Sequence, residues 1–177
     1  MSQEEVKIDT NLYSRQIGTF GMETMGKLIK MNVLLVGCRG LGVETAKNLI
    51  LAGPASVTIY DPNPVTWGDL SSNFYTREEH VGKVSRAEAS ISKLGELNPY
   101  VKVQAISSLT VQDHANYHVV CYTENFENID RLIEVNELVR SKGIGFILAL
   151  AYGPSGITFV DYGTDFIITD ADGEETK

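Results

Sequence analysis

Basic residues, cysteines and long apolar runs are scarce in this sequence of 177 residues. Lys and Arg together number 15 against 23 Asp and Glu, and the net charge of −8 argues against a nucleic-acid-binding surface. The two cysteines, Cys38 and Cys121, are too few for a disulfide framework, and residues 1–10 hold no apolar leader, so we expect a reducing compartment. No apolar run approaches the roughly 20 residues that cross a bilayer, which excludes a membrane-spanning helix.

The composition is that of one globular domain. Hydrophobic residues make up 43% and charged residues 21% of the chain, which excludes a disordered tail. A domain of this length hides roughly 70% of the surface that its unfolded chain exposes. The chain can therefore build a sizeable core without disulfides or metals.

The first half of the chain predicts a strand, a glycine-rich turn and a helix in succession. Residues 33–36 form a continuous apolar run, as expected of a strand buried on both faces in a parallel sheet. Glycines recur in residues 37–42, and apolar residues then continue at helical spacing until Gly53, a residue type that commonly ends helices. Residues 56–60 predict a second strand, which ends at Asp61. This order is that of a βαβ unit.

The second half resumes the alternation of helices and strands after an irregular stretch. Residues 63–80 have no periodic pattern, and we expect them to form a loop that crosses over a functional site. The elements predicted beyond this loop are a helix over 87–97, strands over 101–105 and 119–122, a helix over 129–139, a buried strand over 144–150, and a hairpin in which 157–162 pairs with 165–169. We therefore predict an α/β fold, a Rossmann-like doubly wound and mostly parallel sheet with a C-terminal β-hairpin.

The glycine turn and Asp61 are typical of a nucleotide site. Gly37, Gly40 and Gly42 occupy a strand-to-helix turn, where backbone N–H groups can meet a phosphate. Asp61 stands where a carboxylate commonly holds a ribose hydroxyl. The spacing G-x-x-G-x-G nevertheless differs from the dinucleotide pattern G-x-G-x-x-G, and the side chain of Arg39 must either obstruct a nucleotide or pair with an anion. Two interpretations stay open: the glycines bind phosphates, or they only allow tight packing of helix on strand.

A series of motifs in a fixed order resembles the N-terminal half of ubiquitin-activating enzymes over nearly the whole chain. The motifs are Tyr13-Ser14-Arg15-Gln16, Gly37-x-Arg39-Gly40-Leu41-Gly42, Lys47-Asn48-Leu49-Ile50-Leu51-Ala52-Gly53, Asp69-Leu70-Ser71-Ser72-Asn73-Phe74, Glu96-Leu97-Asn98 and Phe159-Val160-Asp161. The resemblance implies two adenylation-type (ThiF-like) halves packed as a pseudo-dimer, an inactive N-terminal half and an active C-terminal half. The active half uses ATP and Mg to adenylate the ubiquitin C-terminus, which a cysteine in a separate domain then takes as a thioester.

Compared residue by residue, the chain resembles the inactive half. Active halves carry an Asn-x-x-Arg-Gln run whose arginine stabilises charge on phosphoryl oxygens, and Ser72 stands in place of that arginine. Arg39 replaces a glycine of active halves. Asp61 still matches the ribose-binding acid, Lys83 lies near the phosphate-binding lysine, and Glu124 matches the acid that binds Mg. We therefore expect a degraded nucleotide site, with no catalytic residue, no metal site and no tightly bound ATP.

For Arg15 the resemblance implies a function in trans. In adenylating enzymes of this kind an arginine near the N-terminus reaches the nucleotide phosphates of the opposite half, and Arg15 matches it. The implied partners are the active adenylation half and, through the full-length enzyme, ubiquitin and conjugating enzymes, in the cytoplasm and nucleus. Residues 1–169 are then the first part of the inactive adenylation domain, and 170–177 a polar end that leads to a further domain.

Other functions fit part of the sequence. One is the corresponding subunit of a SUMO- or NEDD8-activating heterodimer, although residues 69–73 and 172–175 resemble the single-chain ubiquitin enzyme more. Another is a free-standing NAD-binding oxidoreductase, which would use the glycine turn and Asp61. A zinc site formed by His114, His118 and Cys121 is the weakest of these hypotheses, because the segment lacks a fourth ligand.

Overall fold

Helices and strands alternate along the chain. The computed structural model describes residues 8–124 and 128–167. The helices in these ranges are α1 (Ser14–Leu28), α2 (Gly40–Ala52), α3 (Arg86–Gly95) and α4 (Ile129–Ser141). The strands are β1 (Asn32–Val36), β2 (Ser56–Tyr60), β3 (Lys102–Ile106), β4 (Val119–Tyr122), β5 (Gly145–Tyr152) and β6 (Ser155–Asp161). Short 3₁₀ helices span Trp67–Ser71, Glu78–His80 and Gln112–Asn116.

The strands form one sheet in the order β3-β2-β1-β4-β5-β6. Neighbours from β3 to β5 are parallel, and β6 pairs antiparallel with β5. The predicted α/β fold, with its mostly parallel sheet and C-terminal hairpin, is confirmed. The chain passes from β1 to β2 on one side of β1, whereas β4 lies on its other side. The carboxyl ends of β1 and β4 therefore flank the crevice where open α/β sheets bind ligands.

Both faces of the central strands are covered, as their continuous apolar sequences require. On one face α2 and α3 pack on the central strands through Val43, Ala46, Ile50 and Leu94. On the other face α4 packs through Leu132, Val135 and Val139. The glycine turn therefore joins a buried strand to a buried helix, and its position is fixed by the core on either side.

The hairpin differs from the prediction in its pairing. Residues 157–162 were predicted to pair with 165–169, but β6 pairs with β5 across the turn at Gly153 and Pro154, from Phe146 opposite Asp161 to Tyr152 opposite Ser155. That predicted partner is wrong where it is described, since residues 165–167 form no strand. The strand predicted to be fully buried over 144–150 is buried only at its start, because its end lies in an exposed hairpin.

Two further predictions concern the polar end of the chain and membrane-spanning helices, and they can be compared with the described residues only. The polar end at 170–177 lies outside them. Among the residues that the structure describes, no helix is both long enough and apolar enough to pass through a lipid bilayer.

Candidate functional site

The three glycines of the turn lie against atoms of the chain itself. Gly37 has φ +96°, and a Cβ there would come within 2.3 Å of Cγ of Glu124. A Cβ at Gly42 would lie 2.2 Å from the carbonyl oxygen of Gly37. At Gly42 the backbone contact excludes a side chain unless the backbone moves, and at Gly37 the positive φ and the Glu124 side chain both disfavour one. The tight packing that one interpretation requires is thus present, whereas phosphate binding by these glycines stays a prediction.

The crossover, residues 63–80, lies over the glycine turn as expected. A Cβ at Gly40, the first residue of α2, would lie 2.9 Å from Cβ of Ser72. The buried Asn73 side chain donates to the Cys38 carbonyl oxygen at 3.0 Å and to Oγ of Ser90 at 3.1 Å. Ser72 is thereby held against the N-terminal end of α2, where a phosphate would otherwise meet the free N–H groups of a helix.

Both carboxylate oxygens of Asp61 are in use. Oδ2 accepts a hydrogen bond from the Cys38 backbone N–H at 2.9 Å. Oδ1 accepts from the backbone and side-chain nitrogens of Asn63, each at 3.1 Å. The residue is buried, so water cannot compete for these oxygens. One N–H group of the glycine turn is therefore satisfied by the protein's own carboxylate.

A buried arginine joins the acidic residues at this place. Arg86, whose side chain is only 3% exposed, donates from Nε to Oδ2 of Asp69 at 2.9 Å. Its Nη1 lies 3.5 Å from Oδ1 of Asp61 and 3.7 Å from Oε1 of Glu124. We call Asp61, Asp69, Arg86 and Glu124 the charged cluster. Although burial opposes its charged form, hydrogen bonds from Arg86 and Thr66 lower the pKa of Asp69.

Two buried atoms of the charged cluster have no hydrogen-bond partner among the described residues: Nη1 of Arg86 and Oε1 of Glu124. Burial, followed by the neighbouring Asp61 carboxyl, raises the pKa of Glu124 to about 7 from the ordinary 4.5, although Arg86 and Arg39 act in the opposite direction. Arg39 lies with Nε 3.7 Å from the same oxygen, and its side chain is 63% exposed. Arg39 therefore lies beside a carboxyl group of its own chain, and the obstruction of a nucleotide by this side chain stays a prediction.

Arg86 is the residue of this site that the sequence analysis missed. The motif comparison pointed to Lys83, but Lys83 is exposed, and no ion pair of its ammonium is found within the described ranges. Ser85 and Glu88 form a capping box that starts α3, which fixes Arg86 as its first residue. This box was readable in the sequence and would have directed attention to Arg86.

Arg15 lies apart from the glycine turn. It is exposed in the first turn of α1 and lines a cavity of about 430 Å³ together with Leu51 and Leu97. Leu51 stands at the C-terminal end of α2, and the glycine turn is at the other end of this helix of 13 residues, roughly 20 Å away. The geometry therefore keeps Arg15 away from the charged cluster of its own chain.

The two histidines of the zinc hypothesis form hydrogen bonds within the chain. Nδ1 of the buried His114 faces the carbonyl oxygens of Thr110 and Val111 at 2.9 and 3.0 Å, so this nitrogen carries a proton and donates. Nδ1 of His118 accepts from the Asn32 backbone N–H. Within the ranges that the structure describes, no group of three or more His, Cys, Asp or Glu is arranged to hold a metal ion.

The sheet order and the glycine turn at its crevice define a Rossmann-like α/β domain. The sequence matches the ThiF family over residues 13–139, and the chain belongs to this family. It is 44% identical over 168 residues to "Ubiquitin-activating enzyme E1 1" of Schizosaccharomyces pombe and 44% identical over 171 residues to "Ubiquitin-like modifier-activating enzyme 1" of Homo sapiens. These matches cover 95% and 97% of this chain but 16% of each relative. The chain is thus homologous to one ThiF region of much longer enzymes.

Proposed function

We propose that this chain is the inactive adenylation half of a ubiquitin-activating enzyme, and that it supports an active half instead of carrying out adenylation. The observation that carries the proposal is the way in which the charged cluster and the crossover close the glycine turn. The proposed whole enzyme uses ATP and Mg to adenylate the C-terminus of ubiquitin and then forms a thioester, in the cytoplasm and nucleus. The relatives are about six times as long as this chain, and their names support ubiquitin as the substrate.

The closed turn does not fit a nucleotide. A ribose hydroxyl would need Asp61, which is buried and already accepts hydrogen bonds from Cys38 and Asn63. A phosphate at the start of α2 would meet Ser72 and would lie near the carboxylates of the charged cluster, which repel it. The same contacts disfavour the alternative of an NAD-binding oxidoreductase, which needs the same carboxylate and the same turn.

Arg15 is the residue that we expect to act on the partner. It is exposed and lies at the end of α2 that faces away from its own glycine turn, so its guanidinium is available to a second body. A guanidinium is always charged and presents paired donors that suit phosphate oxygens. We infer that Arg15 contacts the ATP phosphates of the active half.

Exposed apolar side chains support a large partner. Near Arg15 the exposed apolar residues are Leu12, Phe20 and Met22, and on the edge strand β6 they are Ile157, Phe159 and Val160. Exposed apolar surface of this kind commonly marks a protein interface. We propose that the active half covers these residues, and that ubiquitin and conjugating enzymes contact the whole enzyme.

The test needs the whole enzyme, so we would replace the matching region of the S. pombe relative by this chain and call the product the chimeric enzyme. Arg15→Ala should slow its ATP–pyrophosphate exchange by about a hundredfold to a thousandfold, the usual cost of losing one charge-stabilising group. Lys27→Ala is the matched control, because Lys27 is an exposed cation on the same helix. An unchanged exchange rate with Arg15→Ala would remove the role in trans.

A further inference from the structure

Three sequence motifs that are far apart in the chain meet at the side chain of Tyr13. The Tyr13 hydroxyl oxygen accepts a hydrogen bond from Nδ2 of Asn98 at 2.9 Å, across 85 residues of sequence. The same amide donates to the carbonyl oxygen of Ile50 at 3.0 Å. Tyr13 itself is only 4% exposed. The start of α1 is therefore tied to the ends of α2 and α3.

Gly53 provides the space for the Tyr13 ring. It ends α2 with φ +91°, and a Cβ there would lie 2.5 Å from the Tyr13 hydroxyl oxygen and 2.7 Å from two ring carbons. Two features therefore disfavour a side chain at position 53: the left-handed backbone conformation and the Tyr13 ring that packs against it. Tyr13 is packed as well as hydrogen-bonded.

The helical segment that follows Tyr13 has little other support. We call residues 14–20 the arm. None of residues 14–24 is buried, and the next buried residue of α1 is Met25. Between them Gly21 has φ 78° and ψ 162°, which interrupts the helix, so Met25 cannot hold the arm rigidly. The cavity of about 430 Å³ separates the arm from Leu51 and Leu97.

We propose that Tyr13 is the positioning residue for Arg15. The buried ring and its bond to Asn98 fix where α1 begins, and Arg15 follows two residues later in the first helical turn, so its distance from a partner's phosphates depends on this anchor. A misplacement of about 1 Å at a charge-stabilising group is enough to slow a reaction markedly. The proposal rests on the proposed role of Arg15 in trans.

The experiment is a double-mutant cycle on ATP–pyrophosphate exchange by the chimeric enzyme. Tyr13→Phe keeps the ring and removes the hydrogen-bond acceptor, and should slow exchange about fivefold, the size expected for one lost hydrogen bond. Arg15→Ala/Tyr13→Phe should be no slower than Arg15→Ala alone, because an anchor has no effect once the anchored group is gone. Loss of fold alone would instead slow both backgrounds equally.

Two further variants complete the design. Asn98→Ala removes the amide that Tyr13 and Ile50 share, so it should slow exchange at least as much as Tyr13→Phe, again with no further effect in the Arg15→Ala background. Tyr117→Phe is the matched control, since Tyr117 packs on the α4 side of the sheet, and it should leave exchange unchanged. If Arg15→Ala slows exchange but the Tyr13→Phe effect is absent or multiplies with it, the positioning role is overturned and the role of Arg15 stands. If Arg15→Ala has no effect, the proposed function itself fails.

Discussion

The charged cluster and the arm differ in burial and in the partners of their arginines. Arg86 is enclosed by three carboxylates of its own chain, and its side chain is 3% exposed. Arg15 is exposed, on a segment whose nearest buried residue is Tyr13. Inside the fold, the charged residues that resemble a nucleotide site lie beside one another, whereas Arg15, whose guanidinium suits phosphate, is exposed. Under the proposed function, this difference means that the domain has lost its own nucleotide site and still presents an arginine to the active half.

The largest expected effect comes from removing the cation of the charged cluster. Arg86→Met should lower the free energy of unfolding by about 3–5 kcal/mol, because it leaves buried carboxylates without their counter-charge. Urea unfolding near neutral pH measures the change. Arg39→Met is the control, and it should cost less than about 1 kcal/mol, since that side chain is largely exposed. Equal and small effects of both changes would contradict the difference in burial.

Substitution by alanine should have opposite effects in the glycine turn and at Gly95, a half-buried glycine at the end of α3. Gly42→Ala should lower the free energy of unfolding by about 2 kcal/mol, because the new methyl group overlaps the Gly37 carbonyl oxygen. Gly95→Ala should raise it by about 0.5 kcal/mol, since nothing lies within 4 Å of a Cβ there and alanine favours the helix. Thermal unfolding compares the two. Stabilisation by Gly42→Ala would show that the turn is looser than the structure has it.

The pH dependence of stability tests the electrostatics of the charged cluster. Burial beside Asp61 raises the pKa of Glu124 from 4.5 to about 7 in the folded chain. The folded state thus holds a proton that the unfolded state releases, so the stability from this group is present below pH 4.5 and is lost as the pH rises to about 7.

In Glu124→Gln the side chain is uncharged at every pH, as the protonated glutamate is. The variant should therefore not lose stability from this group as the pH rises. From about pH 5 to about pH 8, the free energy of unfolding of the variant should rise by about 1 kcal/mol relative to that of the parent chain, a figure reduced for solvent screening. Urea unfolding across that range measures the difference. Parallel pH profiles for the two chains would contradict the raised pKa.

The smallest effect is expected in the arm. Phe20→Ser should change the free energy of unfolding of this chain by less than about 0.5 kcal/mol, because Phe20 is already exposed. Thermal unfolding measures the change. A loss of free energy of unfolding as large as that of Gly42→Ala would show that Phe20 is packed against the domain and that the arm has a second anchor.

The sequence was most informative where single strands are buried on both faces. The ends of β2 and β4 match the prediction, because a short apolar run between turn residues specifies such a strand locally. The hairpin pairing could not be predicted in the same way. Two glycine-containing turns, at Gly153 and Gly163, border the edge strand β6, and which of them closes the hairpin depends on the pairing with β5.

The same distinction holds for the candidate site: positions set by the order of elements could be predicted, whereas contacts between distant elements could not. The glycines and Asp61 were placed correctly at the crevice, because their positions follow from the βαβ order alone. Their contacts with Glu124, Ser72 and Arg86 could not be predicted, since these residues come from other elements and meet only through the packing of the sheet. The role of Lys83 stays a prediction, while Arg86 is the cation within the charged cluster.

Calorimetric titration of the chain with Mg–ATP tests the central claim most directly, namely that the chain closes its own nucleotide site. We expect no binding tighter than about 1 mM, which corresponds to about −4 kcal/mol. A dissociation constant in the micromolar range, lost on Asp61→Ala, would contradict the claim and would show that the charged cluster opens to admit a nucleotide.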